Sequence, residues 1–129
     1  MEVPKGCLRC TVSLGLRNAA REVYHTLGPG FLLRIYVSAL RVELRAQGIP
    51  CQRARKLMVT HRGQPIGEVT FHHFIVDEKL VLAPISVTQI SQSEANKVRT
   101  LMATHGLRLG MIVNYRNEKM EVKYVRGKG

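Results

Sequence analysis

A chain of 129 residues with 45% apolar content has enough material for one domain around one core. Twenty Lys and Arg against nine acids give a net charge of +11 and a pI near 10.2, a balance that favours a polyanionic partner such as nucleic acid or an anionic membrane surface. The lack of Trp and an aromatic share of 5% count against a base-stacking platform, and no apolar run approaches the ~18 residues of a membrane-spanning helix.

Residues 3–21 hold four basic residues and no acid. That composition resembles an organelle-targeting segment, or else a basic arm retained on the mature protein, and residues 1–17 are assigned to it. Three cysteines, Cys7, Cys10 and Cys51, argue against a disulfide framework and suit a reducing compartment. Cys7-x-x-Cys10 has the spacing of half a zinc site, but no second Cys/His pair completes it. His72 and His73 are adjacent and would point to opposite faces of a strand. Two ordinary thiols, no metal and no cofactor are therefore expected.

Asn18 is a candidate cap for a short helix, Ala19 to Leu27, which Gly28-Pro29-Gly30 ends. Leu32, Ile35, Tyr36, Ala39, Leu40, Val42 and Leu44 form a largely helical apolar stripe and predict a second helix from about Phe31 to Gln47. Gly48 and Pro50 stop it. Strands are predicted at Lys56–His61, Ile66–Val76 and Lys79–Val87, with turns at Arg62-Gly63-Gln64 and Asp77-Glu78-Lys79. Ser91 or Ser93 caps a third helix reaching about Thr104, with Glu94 in its first turn and Gly106 after its end. Leu107–Tyr115 and Met120–Val125 complete the set around a turn at Asn117-Glu118-Lys119. The order ααβββαββ describes one α/β domain over residues 18–126, a mixed central sheet flanked by helices, followed by a basic tail at 127–129.

Residues 18–44, NAAREVYHTLGPGFLLRIYVSALRVEL, resemble the small GxxExxY proteins of the PD-(D/E)XK nuclease superfamily through Gly28, Pro29, Gly30, Phe31, Leu32, Tyr36, Ala39 and Leu40. The resemblance continues through Arg62-Gly63-Gln64-Pro65-Ile66-Gly67-Glu68, then Ala103-Thr104, an extra His105, Gly106-Leu107-Arg108-Leu109-Gly110 and Asn114-Tyr115. It implies a Mg²⁺-dependent nuclease fold whose hairpin, here Gly67–Val87, carries an Asp on the first strand and Glu-x-Lys on the second. By this alignment the family's helix Glu falls at Leu33, the Asp at His72, and Glu-x-Lys at Ala83 and Ile85. A family Gln and Tyr fall at Asn96 and Thr100.

Mg²⁺ takes oxygen ligands, and Leu33, Ala83 and Ile85 offer none. His72 alone is a weak site for a softer metal. Glu68 shares a strand face with His72, Asp77 and Glu78 sit in a turn, and Glu43 lies about 15 Å from Leu33 along a helix. No replacement cluster is visible, so no catalytic residue is assigned.

Loss of carboxylates makes such a cleft kinder to phosphate. The candidate nucleic-acid contacts are Arg34, Arg41 and Arg45 on the second helix; Arg53, Arg55 and Lys56 at the first strand; Lys97 and Arg99 on the third helix; and Lys119, Lys123, Arg126 and Lys128 at the carboxyl end. Each group is alternatively a solvated charged face. The expectation is a non-catalytic pseudo-nuclease that binds RNA, rRNA in particular, as a structural subunit of a ribonucleoprotein. Its most concrete form is an accessory protein of a mitochondrial ribosome, with neighbouring proteins as further partners and no small-molecule substrate. The alternatives are a metal-dependent nuclease with a rearranged site, and a protein-interaction subunit of another organellar complex that presents Leu33, Ala83 and Ile85 to its partner.

Overall fold

The computed structural model describes residues 8–127, and within them the element order follows the predicted ααβββαββ. The helices are α1 (Leu8–Leu27), α2 (Leu33–Ala46) and α3 (Gln92–His105). The strands are β1 (Cys51–His61), β2 (Gln64–Val76), β3 (Leu80–Ile85), β4 (Leu109–Asn114) and β5 (Glu121–Arg126). They form one sheet in the order β1-β2-β3-β4-β5, antiparallel throughout except for the parallel β3–β4 pair that α3 connects.

The sheet separates two apolar cores. On one face α1 and α2 pack Leu16, Ala19, Ala20, Val23, Tyr36, Val37, Leu40 and Leu44 against Phe74, Val76, Leu80, Leu82, Met111 and Val113. On the other, α3 packs Ala95, Val98, Leu101 and Met102 against Phe71, Val81, Ala83, Ile85, Ile112 and Val125. Strand residues therefore alternate between cores, as a period of two requires. Three tyrosines tie the first core together. Tyr36 and Tyr115 stack with centroids 4.6 Å apart, and Tyr24 lies 6.1 Å from Tyr115. Tyr36 Oη donates to Gly28 O (2.6 Å) and accepts from Phe31 N (3.2 Å), pinning the Gly-Pro-Gly connection to α2.

Local chemistry sets the boundaries. Ser91 and Glu94 form a reciprocal capping box at the start of α3, and Gly106 ends it in the left-handed conformation. The β1–β2 turn uses Arg62 and Gly63 at positive φ. The β2–β3 turn places two non-glycine residues, Asp77 and Glu78, at φ 51° and 54°. That geometry matches the twist of a hairpin but strains side-chain-bearing residues. An ion pair of Asp77 with Lys79 at 3.2 Å and the bond from Asp77 N to Pro50 O (2.8 Å) hold the turn.

Two element starts and the buried face of α2 differ most from the sequence reading. Asn18 is not a cap: α1 begins at Leu8, so residues 8–17, read as arm, are helical. Packing of the stripe Leu16, Ala19, Ala20 and Val23 outweighs the poor helix propensity of Thr11, Val12, Ser13 and Gly15. β1 starts at Cys51 rather than Lys56, because pairing with Phe74–Val76 recruits an exposed, arginine-rich segment. On α2, Val37 enters the core, whereas Val42 stays 68% exposed.

Among the described glycines, Gly110 leaves the least room for a side chain. A Cβ there would meet Val98 Cγ1 at 2.5 Å and Met102 Sδ at 3.1 Å. Gly110→Ala is expected to lower stability by about 1–3 kcal/mol through overpacking. Gly67→Ala, where a Cβ meets open space, should change the urea midpoint little.

Candidate nucleic-acid interface

The hairpin positions that the resemblance implies do not meet on one face. Leu33 packs into the α1/α2 core, and His72 lines a hollow with residues of α2, whereas Ala83 and Ile85 point into the α3 core. The second-strand residues that share the face of Leu33 and His72 are Leu82 and Pro84, one position earlier. The continuous apolar run of β3 has no alternation from which its facing could be read. Neither pair carries a carboxylate. Both pairs are buried, with Ala83 at 0% and Ile85 at 5% exposure. The idea that these two residues offer a docking surface is thus corrected.

Pro84 also shapes the hairpin. The β2–β3 ladder runs only over Phe74↔Leu82, Ile75↔Val81 and Val76↔Leu80. It ends at Leu82, two residues before Pro84, which has no N–H to donate. Beyond that point β2 pairs with β1 alone. There, between Ala54↔His73 and Lys56↔Thr70, two residues of β2, Phe71 and His72, face the single Arg55. Such a bulge redirects side chains. His73 turns inward at 2% exposure and donates from Nδ1 to Phe71 O (2.7 Å), while His72 lies over the α2 face.

The carboxylates are dispersed. Glu68 pairs with Lys56 at 3.7 Å, Asp77 pairs with Lys79, and Glu94 caps α3. Glu121 accepts from Asn114 (2.9 Å) and Asn117 (2.7 Å), in a polar network where Asn114 also bonds Val87 N and O. Among the described residues no three His, Cys, Asp or Glu side chains converge as metal ligands. Cys7, half of the expected thiol pair, lies outside them.

The cations are better organised. Arg34, Arg53, Arg55 and His72 line one open hollow with Ile35 and Ser38. Further along α2, the charges of Arg41 and Arg45 act on the thiol of Cys51, at the start of β1, although burial is the larger influence and pushes that thiol up. α2 thus runs antiparallel to β1, with arginines on both sides of the seam. None of these five arginines has a carboxylate partner among the described residues. The other candidates lie elsewhere. Lys56 is paired with Glu68. Lys97 sits 5.6 Å over the Phe71 ring on the α3 face, with Arg99 exposed on the same helix. Lys119 joins Arg17, Arg21 and His25, two arginines that the sequence reading passed over, at the far side of the domain. Lys123 and Arg126 are exposed on β5, the opposite edge strand from β1. Lys128 is outside the described residues. The seam was legible only in part: the spacing of Arg34, Arg41 and Arg45 marks one helix face, but nothing local says that β1 lies beside it.

The family model of the PD-(D/E)XK nuclease superfamily matches residues 11–126. The chain belongs to that superfamily. The match spans all three helices and the whole sheet, so the mixed five-stranded sheet between α1/α2 and α3 is this chain's version of the PD-(D/E)XK nuclease fold. Neither curated proteins nor solved structures gave a significant match.

Burial holds the His73 imidazole below its ordinary pKa of 6.5, and burial together with Arg53 and Arg55 does the same for His72. A folded-state pKa below the unfolded one means that the unfolded chain takes up protons first on acidification. Stability is therefore full above pH 6.5 and declines as pH falls through the folded-state values. Urea midpoints measured from pH 8 to pH 5 should drop below pH 6.5, and His73→Phe should flatten that decline.

Proposed function

We propose that this chain is a non-cleaving nuclease-fold protein that binds the phosphate backbone of RNA as a structural subunit of a ribonucleoprotein. The observation that carries this reading is the α2–β1 seam. Arg34, Arg41, Arg45, Arg53 and Arg55 lie along one face, free of carboxylate partners among the described residues. Guanidinium groups match phosphate oxygens in bidentate geometry and stay charged at any physiological pH. Displacement of condensed counterions then supplies affinity without reading sequence.

The absence of cleavage is part of the proposal. Its support is that Leu33, Leu82 and Pro84, which share the face of His72, and Ala83 and Ile85 on the other, hold no oxygen ligand. The chain is in this view a GxxExxY-type member whose acid positions changed, leaving a backbone-binding surface. Its most concrete setting is a mitochondrial ribosome, where a net charge of +11 suits contact with rRNA and neighbouring subunits.

Purified protein with labelled RNA or DNA and Mg²⁺ or Mn²⁺ should retain the strands intact. Neutralising about five phosphates predicts a log–log salt slope near −3.5 on single strands and −4.5 on duplex. Replacing Arg41 and Arg45 by Gln should reduce that slope by about 1.4 on single strands. Divalent-dependent cleavage, or an affinity indifferent to salt, would overturn the reading. In cell extracts the native protein should sediment with large particles and be released by RNase.

A further inference from the structure

We propose that the hollow between the start of α2 and the β1–β2 bulge is a phosphate site that takes the terminal phosphomonoester of a nucleic-acid strand in preference to an internal diester. The inference rests on the nucleic-acid reading above and narrows it. The hollow is lined by Arg34, Ile35 and Ser38 from α2, Arg53 and Arg55 from β1, and His72 from β2. Its three arginines come from two sides, the helix and the edge strand. The two ion pairs of the described residues, Lys56–Glu68 and Asp77–Lys79, leave all three uncompensated.

Three cations lining one hollow favour an anion between them, because like charges repel. The effect is visible on His72, whose protonation is disfavoured by burial first and by Arg53 and Arg55 next. Its Nδ1 is buried without a hydrogen-bond partner. Buried polar atoms ordinarily have one, so an orphan beside a cationic hollow marks a place where a ligand or water completes the set. Ser38 adds a hydroxyl donor. α2 adds a start with no side-chain cap and no acid in its first turn, which leaves its positive end uncompensated.

The preference for a strand end follows from charge. An internal diester carries one negative charge, whereas a terminal monoester carries about 1.5 to 2 at pH 7 and offers three free oxygens. Arg34, Arg53 and Arg55 can each face one of those oxygens with a two-pronged donor set. Ile35 gives the wall an apolar patch suited to the adjoining sugar. From the hollow, Arg41 and Arg45 extend the basic surface about 16 Å along α2, a track for the strand that follows its anchored end.

The test uses the full chain and one 12-nucleotide RNA made in three forms, with a 5′-phosphate, a 3′-phosphate, or hydroxyl groups at both ends. Fluorescence anisotropy should show at least tenfold tighter binding of one phosphate-ended form than of the hydroxyl-ended form. Arg53→Gln/Arg55→Gln should abolish that preference, weakening the phosphate-ended form by at least tenfold more than the hydroxyl-ended form. Arg41→Gln/Arg45→Gln should weaken all three forms and keep the ratio. All four substituted side chains being exposed, urea midpoints of both variants should match the parent. Equal affinity for the three forms overturns the end preference. If no RNA binds at all, the nucleic-acid reading fails separately. In that case, displacement of the His72 ring resonances by inorganic phosphate, but not by chloride at equal ionic strength, would still support an anion site, and no displacement by either would overturn it.

Discussion

Everything on either side of the sheet depends on β3 being sealed. All six of its residues are buried, and it alone connects the antiparallel half of the sheet to the parallel pairing with β4. Leu80 and Leu82 serve the core under α1 and α2, while Val81, Ala83 and Ile85 serve the core under α3. An ionised side chain at any of these positions would lose its hydration with no partner to replace it, a cost of several kcal/mol. In the superfamily's catalytic arrangement this strand carries charge, made tolerable by a metal. Here the apolar sequence of β3 lets both cores close, and Gly110 on β4 lets α3 approach closely enough to close the second one.

The same closure gives the family-like glycines and tyrosines a structural explanation. Tyr36 holds the Gly28 carbonyl and stacks on Tyr115, and Tyr115 in turn donates to Ala20 O at 3.1 Å. Burial pushes the Tyr115 phenol well above its usual range, so it remains a donor throughout the physiological span. Asn114, wholly buried, brackets the exit of β3 through both backbone groups of Val87. These residues fix where α1, α2 and the end of β3 sit relative to one another, whatever chemistry the neighbouring face supports.

Element order was legible because breakers and caps are local: Gly28-Pro29-Gly30, Gly48, Gly63, Gly106 and the Ser91–Glu94 box act within a few residues of themselves. What depends on pairing was not. The amino-terminal extent of α1 is decided by Leu16 and Ala19 meeting a core that other elements build. The start of β1 is decided by β2, because Arg53-Ala54-Arg55 has no apolar alternation of its own. That Ala83 and Ile85 lie on the face opposite His72 was hidden for the same reason: a run buried on both faces has no readable phase. For the site, helical spacing joined Arg34, Arg41 and Arg45, but the partnership with Arg53, Arg55 and His72 arises from the seating of α2 beside an edge strand.

That edge has one more consequence. β1 is a long outer strand whose unpaired backbone groups could template a second copy of the chain, the usual hazard of an open sheet. Antiparallel association of two such edges would bring Arg53, Arg55 and Lys56 of one molecule against the same residues of the other. Like charges facing each other across a ladder oppose that pairing. The arginines of the seam therefore have a second effect: besides giving α2 and β1 a shared cationic face, they oppose edge-to-edge pairing of two copies.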